Sequence, residues 1–152
     1  MENSVYYASK NKEGEKNKID HVGNIAGAIA AGAQTTAYSI GKHTFVAKTN
    51  ILFVGCEVHG NGKIPSAFRK MLRKLDSTEV KRIALFSVIK SGKETAMTEV
   101  KALVEPKNIK ICEEEFSCNG SSAFKNRDCP TEQDFKKARE FGTIIIEKYR
   151  NL

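Results

Sequence analysis

Short apolar runs alternate with amphipathic stretches along this chain, the pattern of a parallel sheet covered by helices on both faces. Val5-Tyr6-Tyr7-Ala8 reads as a first strand, followed by a polar, lysine-rich stretch from Lys10 to Lys18. Ile19, Val22, Ile25, Ala26, Ile29 and Ala33 then recur at helical spacing in a helix of small residues that can pack closely on a sheet. Thr35 to Ile40 is β-branched and aromatic enough for a second strand. The run Ile51-Leu52-Phe53-Val54, closed by Gly55, is apolar on both faces and belongs at a sheet centre.

A loop is expected from Cys56 to Lys63, after which Ile64-Pro65 opens a helix, proline being preset for a first helical turn. In that helix Phe68, Met71, Leu72 and Leu75 share one face, opposite Arg69, Lys70, Arg73 and Lys74. Val80 to Ile89 holds a further buried strand around Ile83-Ala84-Leu85-Phe86, and Lys90 to Lys93 forms a loop. The next helix turns Ala96, Val100, Leu103 and Val104 inward and stops at Pro106. Ile109 to Cys118 reads as the last strand, and Glu113-Glu114-Glu115 assigns it to an edge. Thr131, with Asp134 three residues on, caps a final helix whose buried stripe is Phe135, Ala138, Ile145, Ile146 and Tyr149.

Five strands and four helices thus predict one α/β domain over residues 1–152. Short, right-handed connections favour a doubly wound five-stranded parallel sheet in the order 2-1-3-4-5. Ligands of such sheets bind beyond the carboxyl ends of the strands, where the strand order reverses. Here that point lies between the first and third strands, and the segments Ser9–His21, Cys56–Lys63 and Ser87–Thr95 should converge on it.

Composition narrows the picture. The chain has 152 residues, 40% of them apolar and 28% charged, as in an ordinary globular domain. Lys and Arg number 25 against 18 Asp and Glu, a formal charge of +7 that favours anionic partners. No apolar stretch reaches the length of a membrane helix. Met1 to Lys10 lacks the apolar core of a secretory leader, so a cytoplasmic location is expected. Cys56, Cys112, Cys118 and Cys129 show no metal-ligand spacing and are expected as reduced thiols. Arg69, Lys70, Arg73, Lys74, Lys81 and Arg82 form a basic cluster without a stacking platform of aromatics, so it reads as a solvated face and nucleic acid is not the expected partner.

At particular residues the chain resembles the flavodoxin-like proteins. The likeness rests on Val5-Tyr6-Tyr7-Ala8-Ser9 and on Gly55-Cys56-Glu57-Val58-His59-Gly60-Asn61-Gly62-Lys63-Ile64-Pro65. It continues through Ala84-Leu85-Phe86-Ser87, Phe116-Ser117-Cys118-Asn119-Gly120, Pro130-Thr131-Glu132-Gln133-Asp134 and Ala138-Arg139-Glu140-Phe141-Gly142. The resemblance implies a flavodoxin fold, flavin mononucleotide (FMN) as cofactor, and one- or two-electron transfer with a redox partner protein or a small-molecule acceptor.

It also implies site residues. The family holds the flavin phosphate in the loop after the first strand, which assigns Ser9, Lys10 and Asn11 to it. Only Ser9 matches the family's hydroxyl-rich run; Lys10 to Lys18 replaces the rest, with four lysines and no hydroxyl. Glu57, Val58, His59, Gly60, Asn61 and Gly62 take the stretch along the ring, with His59 where an aromatic often stacks. Ser87, Val88 and Gly92 belong to the segment on the ring's other side, which contains no Phe, Tyr or Trp, so a weaker, more exposed flavin site is expected. His59 shows no partner for nucleophilic catalysis in the sequence. Cys56 falls near the presumed ring edge, where burial at a strand end accounts for it. The competing reading is a flavodoxin-fold module that has lost FMN and serves as a binding or structural protein.

Overall fold

The computed structural model describes residues 2–9, 20–41, 46–59, 63–90, 96–121 and 128–151. Five strands, β1 (Glu2–Ala8), β2 (Ala37–Ser39), β3 (Thr49–Val58), β4 (Val80–Ile89) and β5 (Lys110–Asn119), form one parallel sheet in the order β2-β1-β3-β4-β5. Among the described residues three α-helices connect strands, α1 (His21–Ala33), α2 (Ser66–Lys74) and α3 (Ala96–Val104), and a fourth, α4 (Glu132–Tyr149), follows β5. The predicted fold class and strand order are those observed.

The sheet divides two apolar cores. Ile51 and Phe53 of β3, with Ala84, Phe86 and Val88 of β4, pack beneath α1 and α4. Leu52, Val54, Cys56 and Val58, with Ile83 and Leu85, pack beneath α2 and α3. The alternation is the period-two geometry of a strand buried on both sides. Gly55 interrupts the first set because the Phe86 ring lies directly over it and would collide with a Cβ. At the helix layer, Gly142 of α4 lies so close to the Ile29 carbonyl of α1 that a Cβ there would overlap it.

Several boundaries differ from the reading of the sequence. β3 runs on through Val58, so Cys56, Glu57 and Val58 are strand residues and not loop. β4 likewise includes Ser87 and Val88. Both corrections have one cause: a polar side chain at a buried position breaks the apolar run, and Glu57 and Ser87 are each only 3% exposed. β2 is shorter than Thr35 to Ile40, and Pro65 stands one position before the first helical residue of α2. In β5 the register slips between the pairs Ile83↔Ile111 and Leu85↔Glu115, which lets Glu113 and Glu114 bulge out at the sheet edge. Thr131 and Asp134 form a full capping box at the start of α4.

Candidate functional site

The strands end together. Ala8, Cys56, Ser87 and Ser117 lie in register across β1, β3, β4 and β5, so Ser9, His59, Lys90 and Gly120 all emerge at the same edge. The strand ends of the segments Ser9–His21, Cys56–Lys63 and Ser87–Thr95 thus lie at one edge, while residues 10–19, 60–62 and 91–95 of those segments lie outside the described residues. Of the residues assigned to the site, Lys10, Asn11, Gly60, Asn61, Gly62 and Gly92 lie outside the described residues. Ser9 stands, half-buried, directly after β1. Val58 and Val88 are fully packed core residues, on opposite faces of the sheet. Ser87, beside Val88 in an alternating strand, faces the α2 and α3 side. These three support the edge from within and do not open onto it.

Glu57 and His59 are brought together. Glu57 Oε2 lies 3.1 Å from His59 Nε2, and the carboxylate is almost completely buried while the imidazole is about a quarter exposed. His59 is thus held by an internal acid and is not the solvated loop residue that a lone histidine suggests. The other carboxylate oxygen, Oε1, faces the Lys90 ammonium at 3.5 Å and accepts no hydrogen bond among the described residues. A buried carboxylate is tolerable only with such counter-charge.

Three contributors were not singled out from the sequence: Asp20 and His21, which close the segment Ser9–His21, and Ser121. Asp20 is the N-cap of α1, its Oδ1 accepting the Gly23 N–H at 3.0 Å. His21, the first residue of α1, lies with its Nε2 2.7 Å from the Ser121 hydroxyl, which follows β5. Burial, and then the Lys90 charge, hold the His21 pKa below its ordinary value, against the opposing pull of Glu57 and Asp20. The fields of both carboxylates thus reach one imidazole. The signal for Asp20 was present, since an Asp directly before an apolar helical stripe is an N-cap pattern. No sequence signal joins His21 to Ser121.

The arrangement can hold and orient a planar group and handle protons. The Glu57–His59 pair fixes the imidazole at the edge, as a carboxylate does for a ring nitrogen. A thiol contributes little: burial raises the Cys56 pKa to about 12, and its side chain packs on the α2 and α3 face, away from Glu57. All four cysteines are free, Cys118 and Cys129 included. Among the described residues no group of His, Cys, Asp and Glu is placed to hold a metal ion. None of the described helices is long and apolar enough to cross a membrane.

Other surfaces separate from this edge. A groove of about 550 Å³, lined in part by Asn3, Gln34, Thr35, Lys48 and Arg150, lies at the opposite, amino-terminal end of β1 and contains none of the predicted site residues. The basic cluster does not form one face. Arg69 pairs with Glu99 at 2.7 Å on the α2 and α3 side, whereas Arg82 stacks 4.6 Å over Tyr149 of α4 on the other.

No family model matches the chain, and no curated protein matches it. Solved structures do match. A short-chain flavodoxin associated with a non-canonical PDU bacterial microcompartment superposes with a TM-score of 0.69 at 15% identity, over 98% of this chain and 99% of that one. Flavodoxin 1 from Bacillus cereus gives 0.69 at 14% identity, over 95% and 97%. A flavodoxin from Fusobacterium nucleatum, solved bound to flavin mononucleotide, gives 0.67 at 11% identity, over 98% and 99%. At such identities the likeness is one of backbone architecture. The five-stranded order, the two helical layers and these superpositions agree, and the chain has the flavodoxin-like fold.

Proposed function

We propose that the chain, acting as a single domain over residues 1–152, binds a flavin, FMN by the likeness of fold, at the carboxyl edge of its sheet. It would use the flavin in electron transfer or in reduction of a small molecule. The observation that carries the reading is the placement of Ser9, Glu57 and His59 where β1 and β3 part, the switch point at which open parallel sheets bind ligands. A bound flavin supplies one- and two-electron chemistry that no side chain can. His59, held by Glu57, would lie against the ring, and the Glu57–Lys90 pair beneath would set the local charge. The net charge of +7 fits an acidic redox partner or an anionic substrate.

The described residues suit the ring better than the phosphate. A helix N-terminus is the ready-made phosphate site of such folds, but at α1 it is capped by the Asp20 carboxylate. This charge favours, as a second reading, a module of this fold that works without a cofactor.

Colour separates the two. Purified protein showing flavin absorption bands, or quenching added FMN fluorescence with a Kd below roughly 10 μM, supports the flavin reading. A colourless protein that leaves FMN fluorescence unchanged at roughly 100 μM overturns it and leaves the cofactor-free module.

A further inference from the structure

Resting on the flavin reading, the charges at the sheet edge narrow the ligand. Two carboxylates stand at this edge, one at the start of α1 and one at the end of β3. Asp20 takes up the Gly23 N–H at the start of α1, the place where backbone donors and the helix dipole would otherwise receive a phosphate. Glu57 sits nine-tenths and more buried at the end of β3 and takes up the charge of Lys90. His21, between the fields of both acids, has its pKa lowered by burial and then by the Lys90 charge. Among the described residues of this cluster one ammonium stands against two carboxylates, and a buried negative charge repels a second one far more strongly than a solvated one does. The remaining carboxylate oxygen, Glu57 Oε1, accepts no hydrogen bond among the described residues. That oxygen is enclosed and spends its charge on Lys90, so Glu57 adds buried negative charge to this edge and is no contact for the ligand.

We propose that this site recognises the flavin through its ring and polyol chain without demanding the phosphate, so that riboflavin binds at least as tightly as FMN. Asp20 and Glu57 supply the negative charge of this edge, and an uncharged flavin is the ligand class it admits.

The test is a side-by-side fluorescence titration of the full-length apo-protein with riboflavin and with FMN, in low and in high salt. The expected result is a riboflavin Kd equal to or below that of FMN, with little dependence on salt. Glu57→Gln keeps the size and the bond to His59 while freeing the Lys90 charge. It should tighten FMN about tenfold relative to riboflavin, a ratio in which any change common to both flavins cancels. Asp20→Asn, which retains a capping side chain, should shift the ratio in the same direction and serves if the Glu57 variant does not fold. FMN binding tenfold or more tighter than riboflavin to the unaltered chain overturns the inference and hands phosphate recognition to the lysines of residues 10–18, while leaving the flavin reading in place. An unchanged ratio in both variants overturns it too. Failure of either flavin to bind overturns the flavin reading itself, and this inference with it.

Discussion

His21 Nε2 and Ser121 Oγ are hydrogen-bond partners 2.7 Å apart, although 100 positions separate them in the sequence. The contact ties the first turn of α1 to the segment that leaves β5, across the carboxyl ends of the strands between. Gly120 beside it donates its N–H to the Ile89 carbonyl at 2.8 Å, which brings the same segment against the end of β4. One edge of the sheet is therefore bridged by polar groups from four elements, whereas the interior beneath it is almost wholly apolar.

The His21 contact makes stability depend on pH in a defined direction. Burial first, and the Lys90 charge second, lower the His21 pKa in the folded chain, so the unfolded chain binds the proton more readily. Stability from this group is then complete above the unfolded value of about 6.5 and declines as pH falls through that value toward the lowered one. The melting temperature should drop between pH 7 and pH 5.5, and His21→Gln should flatten that part of the curve. An NMR titration that places the His21 midpoint at or above 6.5 contradicts the mechanism.

At the helix layer the chain is close to its packing limit. Gly142 of α4 faces the Ile29 carbonyl of α1 with no room for a methyl group. Gly142→Ala should force the helices apart and cost about 1–3 kcal/mol by urea denaturation, despite the better helix propensity of alanine. Equal or greater stability in the variant would mean that the α1–α4 contact can slide.

The central strands were legible because Ile51 to Val54 and Ile83 to Phe86 are unbroken apolar runs buried on both faces. Their carboxyl ends were not legible. Glu57 and Ser87 break the apolar pattern, yet both are buried strand residues, and Glu57 finds its counter-charge in Lys90 of the neighbouring strand end. Pattern reads local polarity; it does not read a partner supplied by another strand. Glu113 to Glu115 did reveal an edge, because three adjacent acids cannot alternate into a core. What they could not show is the bulge, in which Glu114 meets the Tyr149 hydroxyl at 2.6 Å and Lys148 at 2.9 Å. The convergence of three strand ends followed from topology alone, but the bridge from His21 to Ser121 rests on two short side chains with no pattern around them.

The four thiols should separate into two classes. Burial drives the pKa values of Cys56, Cys112 and Cys118 up to about 12, so thiolate is scarce at neutral pH and reagents have little access. Cys129 is half-exposed, beyond β5 and just ahead of α4. An aromatic disulfide reagent should label Cys129 in the native protein and the other three only after unfolding. Rapid native labelling of Cys56 would contradict its burial under α2 and α3 and would restore a redox thiol to the sheet edge.

Glu57 and Lys90 should be energetically coupled. The carboxylate is buried and lies between the Lys90 ammonium at 3.5 Å and the His59 ring at 3.1 Å. Removing one partner from a buried pair leaves an uncompensated charge, and Lys90→Met should therefore destabilise the fold by about 3 kcal/mol, the low end of the usual range. The low end applies because the Lys90 side chain keeps 18% of its surface in contact with water. Glu57→Gln should cost less, since the amide can still hydrogen-bond His59 and a partly hydrated ammonium tolerates isolation better than a fully enclosed carboxylate. The double variant no longer buries an unpaired charge, so its loss should fall short of the sum of the single losses by about 1 kcal/mol or more. Urea denaturation of the four proteins measures this directly. Additive losses would mean that the 3.5 Å approach carries no energy and that Glu57 is stabilised by His59 alone.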